Sequence, residues 1–287
     1  MQVIRTVAGL RAWSREARHV GKPVGLVPTM GALHEGHLSL VRAAKASCGA
    51  VAASIFVNPT QFGPNEDFAL YPRTFEADSQ LLEAEGVDVI FAPAPEEMYR
   101  AGATTFVEVA GLSDRLDGAS RPGHFRGVAT VVAKLLIAAE PDRAFFGQKD
   151  AAQVAVLRRM TADLGLPVEL VVCPIVREPD GLAMSSRNRY LSAEERRKAL
   201  ILSRALQAVQ ETIEAGETRA DELVNAARKV FSIEPEVRVD YIAAVDWATL
   251  EPVEEVASGT LFAVAAYVGS TRLIDNFVVE ELSHLRS

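Results

Sequence analysis

The run PTMGALHEGHLSLV sets two histidines, His34 and His37, directly after a short β-rich segment and at the entry to a helical one. A helix N-terminus presents unpaired N–H groups and the positive end of its dipole. Imidazoles placed there add directional donors, so the chemistry this pattern suits is the binding of phosphate oxygens. Gly31 and Gly36 fit that use, because without Cβ the backbone can turn tightly and a nucleotide can come close. Two other readings compete. A metal pair would need a third ligand, which H-x-x-H lacks nearby, and the spacing is not that of the HEXXH helix motif. Incidental polar residues at a helix cap are the blander alternative.

Three further runs carry polar side chains where a strand hands over to a loop or helix. In FFGQKD, Gly147, Gln148, Lys149 and Asp150 follow an apolar segment and open the next helix, with Asp150 as N-cap. A lysine at the carboxyl end of a parallel strand can meet a triphosphate and offset the charge that develops as pyrophosphate leaves. An exposed lysine in a capping turn fits the pattern equally. In DGLAMSSRNRYLS, Ser185, Ser186 and Arg187 supply donors and no acceptor-only group, which suits phosphate recognition on a loop that can close. The alternative is a solvated linker to a helix capped by Ser192, since LSAEE reads as a capping box. In FVNPTQFGPNEDFALYPRTFEAD, a strand runs into a loop holding Asn58, Gln61, Tyr71 and Asp78. Neutral amides among aromatics suit a small hydroxy acid, whose oxygens they can bind without a heavy desolvation cost. A loop that merely turns the chain is the competing reading.

These side chains need elements to hold them. To about residue 175, short β-rich runs alternate with helical stretches, the rhythm of a parallel sheet built from βαβ units. Strands are predicted at Val24–Pro28, Val51–Val57, Val87–Phe91, Arg143–Phe146 and Val168–Cys173, with amphipathic segments at Leu38–Ala46 and Arg73–Glu85. Such sheets bind ligands beyond the carboxyl ends of their strands. The stretch from Ala103 to Gly127, with its run GLSDRLDGASRPGHFRG, breaks the rhythm and predicts a long surface excursion. Past a hinge near Pro174–Pro179, two helical runs at Ser192–Ala215 and Thr218–Phe231 precede strands at Val237–Val245, Leu261–Tyr267 and Arg272–Val279. The expected fold is α/β, a Rossmann-like parallel-sheet domain over residues 1–176 followed by a smaller α+β lid domain over residues 177–287.

Composition narrows the partners. With 287 residues, 49% apolar and 24% charged, the chain has the balance of a globular protein rather than a disordered one. A net charge of −8 repels a long phosphate backbone, which argues against nucleic acid. The N-terminal run MQVIRTVAGLRAWSREARHVGK reads as neither a secretory nor a lipidation signal, and no stretch of apolar residues is long enough for a membrane span, so a cytoplasmic protein is expected. Cys48 and Cys173, the only cysteines, are too few for a disulfide framework or zinc cage and read as reduced core thiols.

Taken together and in this order, the four runs closely resemble the pantothenate synthetase family, and the similarity extends through HFRGVATVVAKL and most of the chain. More distantly, HEGH and MSSRN are similar to the HIGH and KMSKS signatures of the nucleotidyltransferase superfamily, which also implies a Rossmann-like first domain. The resemblance implies an ATP-dependent ligase that activates pantoate as an acyl adenylate and joins it to β-alanine. It implies that His34, His37 and Lys149 are the catalytic residues, and that Met30, Gly147, Asp150, Val176, Met184, Ser185, Ser186 and Arg187 join them in binding ATP. Met30, Gln61 and Gln153, with Asn58 and Tyr71, line the implied pantoate pocket, and Asp78 helps hold Mg²⁺ through phosphates or water. A homodimer is also implied, with Leu261–Tyr267 and Ala103–Val109 as candidate contact edges. The chain departs from the frequent GEKDxQQ pattern by reading GQKDAAQ, so Gln148 stands for an acid and Ala152 for an amide.

Rival readings make different demands. Another adenylyl transferase with a phosphate acceptor needs a cationic acceptor site, whereas Gln61 and Gln153 are neutral. A tRNA synthetase sits badly with an acidic chain, and a non-catalytic nucleotide-binding regulator would bind ATP without releasing pyrophosphate.

Overall fold

Unbroken apolar runs are what strands buried on both faces require, and they become a parallel sheet with helices over it. The computed structural model of the chain describes residues 1–64 and 66–280. Six strands form the sheet: β1 (Gln2–Ile4), β2 (Val24–Thr29), β3 (Ala50–Ile55), β4 (Val89–Phe91), β5 (Arg143–Gly147) and β6 (Glu169–Cys173). Their order is β1-β4-β3-β2-β5-β6, and every pairing is parallel. From β2 the chain builds outward on one side through β3 and β4, then returns to place β5 on the other side of β2. The carboxyl ends of β2 and β5 therefore flank the point where the strand order reverses, the place where open parallel sheets take their ligands.

Helices α1 (Val7–His19), α2 (Glu35–Ser47), α3 (Phe75–Ala84), α4 (Pro95–Met98), α5 (Asp117–Ser120), α6 (His124–Ala139) and α7 (Ala151–Asp163) connect these strands. One face of the core joins Leu40, Val41 and Ala44 of α2 to Val51 and Ala53 of β3, Ile90 of β4 and Phe145 of β5. Fully burying one such side chain contributes roughly 1.5–3 kcal/mol.

The antiparallel part comprises α8 (Ala193–Ala199), α9 (Ile201–Glu214), α10 (Ala220–Phe231), β7 (Arg238–Asp246), β8 (Thr260–Val268) and β9 (Thr271–Val278). Its strand order is β7-β8-β9, and its own core packs Leu202, Leu206 and Val209 of α9 with Phe262 and Val264 of β8. The chain divides into two compact units, one of Met1–Gly147 with Val156–Pro174, the other of Gln148–Ala155 with the chain from Ile175 onward.

The fold class is as the sequence predicts, and the differences have local causes. β1 is a three-residue edge strand too short to show periodicity. The helical run expected at Ser192–Ala215 breaks at Leu200, whose amide donates to the Lys198 carbonyl, only two residues back. The Ser192 capping box forms, with Ser192 Oγ accepting from the Glu195 amide and Glu195 Oε2 from the Ser192 amide. β8 is the middle strand and uses both its ladders within the sheet, so Leu261–Tyr267 is not a free edge, and residues 103–109 form no strand within the chain.

Candidate functional site

Helix α2 begins in a cap made of its two histidines. The Nδ1 atom of His34, the N-cap residue, accepts from the Gly36 amide at 3.2 Å, and Nδ1 of His37 accepts from the His34 amide at 3.3 Å. A neutral imidazole has one donor and one acceptor nitrogen, so with Nδ1 accepting, each ring carries its proton on Nε2. The ring centroids stand 4.1 Å apart. Both rings thus present an N–H donor at the positive end of the α2 dipole.

The backbone reaches this cap through consecutive left-handed residues, Gly31 at φ 83° and Ala32 at φ 52°. Asp78, in the first turn of α3 and only 2% exposed, lies against them. Its Oδ2 accepts from the Ala32 amide at 2.9 Å and from Thr74 Oγ1 at 3.1 Å, and its Oδ1 from the Leu33 amide at 2.8 Å. A cleft of about 230 Å³ opens here, with Met30, Phe56, Phe68, Arg73, Thr74 and Asp78 among its walls.

Asn58 and Gln61 meet in a second cluster of the same unit. Asn58 is 1% exposed, and its Nδ2 donates to Gln61 Oε1 and to the Gly127 carbonyl, each at 3.1 Å. Its Oδ1 accepts from the Thr60 amide, Thr60 Oγ1 and Tyr99 OH. Gln61 Nε2 donates to Met30 Sδ at 3.1 Å, which ties this amide to the end of β2. Tyr71 is buried, its ring 5.9 Å from that of Phe62.

Sequence reasoning missed the residues that hold Gln61 from behind. The Gln61 carbonyl faces His124 Nδ1 at 2.8 Å, and His124 Nε2 faces an Arg121 guanidinium nitrogen at 3.0 Å. Burial first, and then the neighbouring guanidinium, push the His124 imidazole down to about 4. It is therefore neutral at pH 7, accepting from Arg121 at Nε2 and donating from Nδ1 to Gln61. Arg121 also forms a two-pronged pair with Glu66 at 2.5 and 2.8 Å. Burial pushes the Glu66 carboxyl up, and Arg121 outweighs it, holding the group below the usual carboxylate range. Gly127 lets α6 pack on this turn, since a Cβ there would stand 2.3 Å from the Thr60 carbonyl oxygen.

In the second unit, residues Gln148–Asp150 form one 3₁₀ turn carried on β9, because Asn276 Nδ2 donates to the carbonyls of Gln148 and Lys149 at 3.1 and 2.9 Å. Lys149 Nζ lies 3.6 Å from Asp150 Oδ1, and Gln153 is half-buried in the first turn of α7. The serine and arginine loop is braced from within, since Ser185 Oγ accepts from the Arg187 amide at 3.3 Å and the Met184 amide donates to the Val176 carbonyl. Ser186 is buried and Arg187 half-buried. Asn188 donates to Glu178, which Arg196 grips with two nitrogens.

Among the described residues, no group of three or more His, Cys, Asp or Glu side chains is placed to hold a metal ion. Both oxygens of Asp78 are engaged by amides, so the described residues do not fit a protein-held Mg²⁺. Nor is any helix among them long and apolar enough to cross a membrane.

Comparison with known proteins shows the family. Residues 2–278 match the family described as pantoate-beta-alanine ligase. The pantothenate synthetase of Acidobacterium capsulatum is 64% identical, with 98% of each chain covered, and that of Koribacter versatilis 55% identical over 100% of this chain and 98% of the relative. The crystal structure of pantothenate synthetase from Thermus thermophilus matches with a TM-score of 0.91 at 49% identity, covering 98% of this chain and 100% of that one. A pantoate-beta-alanine ligase from Francisella tularensis, solved with beta-gamma ATP and beta-alanine, matches with a TM-score of 0.78 at 33% identity over 97% of both chains.

Proposed function

This chain belongs to the pantoate–β-alanine ligase family, and from that membership we propose how its residues divide the work of the reaction. The reaction condenses pantoate with β-alanine using ATP, giving pantothenate, AMP and pyrophosphate through a pantoyl adenylate. We assign the ATP phosphates to the Nε2–H donors of His34 and His37, with Lys149, Ser185, Ser186 and Arg187 also binding phosphate oxygens. Met30, Gly147, Asp150, Val176 and Met184 contact the rest of the nucleotide. Pantoate is held by Met30, Gln61 and Gln153, with Asn58 orienting the Gln61 amide and Tyr71 closing the apolar side. Mg²⁺ is assigned to the phosphates of ATP rather than to a protein cage. The enzyme is assigned to the cytoplasm and to a homodimer.

The observation that carries this reading is the reciprocal histidine cap, which orients two donors and a helix dipole toward an anion. In the first step a pantoate carboxylate oxygen bonds to the α-phosphorus while the bond from that phosphorus to the bridging oxygen breaks, releasing pyrophosphate. No side chain need act as nucleophile. Catalysis comes from in-line positioning and from donors and cations meeting the developing charge, effects worth several kcal/mol each. In the second step the β-alanine amine attacks the acyl carbon, AMP leaves, and the amine gives up a proton as the amide forms.

The test is pyrophosphate release from the purified protein with MgATP and pantoate alone, β-alanine alone, or both. Limited release with pantoate, rising to steady turnover with matched AMP and pantothenate once β-alanine is added, supports the assignment. Release that ignores pantoate would overturn it.

A further inference from the structure

Two successive residues with positive φ, one of them an alanine, turn the backbone just before the histidine cap, and a residue with a Cβ seldom holds that conformation unaided. Such a turn aims neighbouring N–H groups into one concavity suited to an anion. Here the anion is internal, because the carboxylate of Asp78 takes the amides of Ala32 and Leu33 at 2.9 and 2.8 Å. The next amide, that of His34, already belongs to the cap. The carboxylate is itself fixed from its own helix, with Thr74 Oγ1 donating to Oδ2 and the Asp78 amide donating to the Thr74 carbonyl at 2.9 Å. Gly31 completes the fit, since a Cβ there would stand 2.9 Å from Asp78 Oδ2.

We propose that Asp78 is a positioning residue for the ligase reaction, an internal counter-anion that holds residues 30–34 in the turn from which His34 and His37 rise, and that this is its role in place of ligating Mg²⁺. Two N–H groups point their positive ends at its oxygens, so a cation at the same oxygens would meet repulsion. Its near-complete burial removes the water a hard cation would keep. The inference rests on the assignment of His34 and His37 to the phosphates, and the experiment separates the two.

Asp78→Asn, Thr74→Val, Gly31→Ala and His37→Ala are compared with the wild-type protein. Amide hydrogen exchange over residues 30–34 is followed without ligand, and pyrophosphate release is measured against Mg²⁺ and ATP concentration. Asp78→Asn keeps the shape but turns an NH₂ toward one of the two amides. Its segment 30–34 should exchange roughly 10- to 100-fold faster, the factor carried by one charge-assisted hydrogen bond. Its kcat should fall at saturating ATP while the Mg²⁺ midpoint stays where it is. Thr74→Val should give a smaller change of the same kind, and serves if Asp78→Asn fails to fold. Gly31→Ala, which pushes on Oδ2 directly, should resemble Asp78→Asn. Unchanged exchange, or a kcat recovered by added Mg²⁺, would overturn the proposal. If instead His37→Ala keeps full turnover, the phosphate assignment fails, and the exchange measurement still decides whether Asp78 holds the turn.

Discussion

Replacing Gly127 by Ala should damage catalysis out of proportion to the single methyl group added. Inside α6 an alanine would ordinarily help, since it favours a helix by about 1 kcal/mol over glycine. Here the new Cβ would stand 2.3 Å from the Thr60 carbonyl oxygen, 2.6 Å from its carbon and 2.7 Å from Gln61 Cα. All three are backbone atoms, so no rotamer change relieves the contact. To bring the oxygen from 2.3 Å out to an ordinary 3.4 Å, the turn or the helix must move by about 1.1 Å. Overpacking of this kind costs about 1–3 kcal/mol, so the clash outweighs the gain in helix propensity. The turn that moves carries Gln61, and Asn58, which orients the Gln61 amide, also donates to the Gly127 carbonyl. A misplacement of about 1 Å can cost 10²-fold in rate, so kcat/KM for pantoate should fall by about that factor, or roughly 2.7 kcal/mol of transition-state stabilisation. The assay is pyrophosphate release at saturating ATP and β-alanine over a range of pantoate, with calorimetry alongside. A Gly127→Ala protein with wild-type kcat/KM for pantoate would refute the reasoning, whatever its melting temperature.

Other outcomes follow from the same geometry. His37→Ala and Lys149→Ala should each sharply reduce pyrophosphate release while circular dichroism stays near wild type, the His37 variant losing about 1 kcal/mol of stability with its cap bond, and either variant with full turnover removes that residue from the catalytic set. For His124, the folded-state value of about 4 lies below the ordinary 6.5, so the unfolded chain binds the proton first. Stability is then present above pH 6.5 and lost as pH falls toward 4. Urea titrations should show wild type losing about 3 kcal/mol relative to His124→Asn between pH 7.5 and 4, and parallel curves would place the ring in solvent. A light-scattering mass near that of one chain would rule out the proposed homodimer.

Much of the fold was legible because its signals are local. β2 and β3 are buried on both faces, so their sequences are short apolar runs bounded by turns, and the Ser192 capping box lies within four residues. The segment at 103–109 has a strand's composition, yet its Val107 amide goes to the Thr130 hydroxyl on α6 rather than to a neighbouring strand. Composition could not show that. Within the candidate site, the histidine cap was legible because both partners sit in one turn. The support of Gln61 was not, because His124 and Arg121 lie 63 and 60 residues away and have meaning only once α6 packs on the turn. The same holds for Asp78, whose bonds span 45 and 46 residues and whose metal role comes only from the family resemblance.

The turn bearing Lys149 belongs with strands that come more than a hundred residues later, since Asn276 holds the carbonyls of Gln148 and Lys149. This limits how such proteins can exchange parts. A chimera that joins one relative's first 174 residues to another's remainder would separate residues 148–155 from the strand that evolved with them. Lys149 would then ride on a foreign support. Recombination that preserves function must therefore transfer the short inner segment and the distant strand together, so the second unit is inherited as two pieces of gene under one constraint.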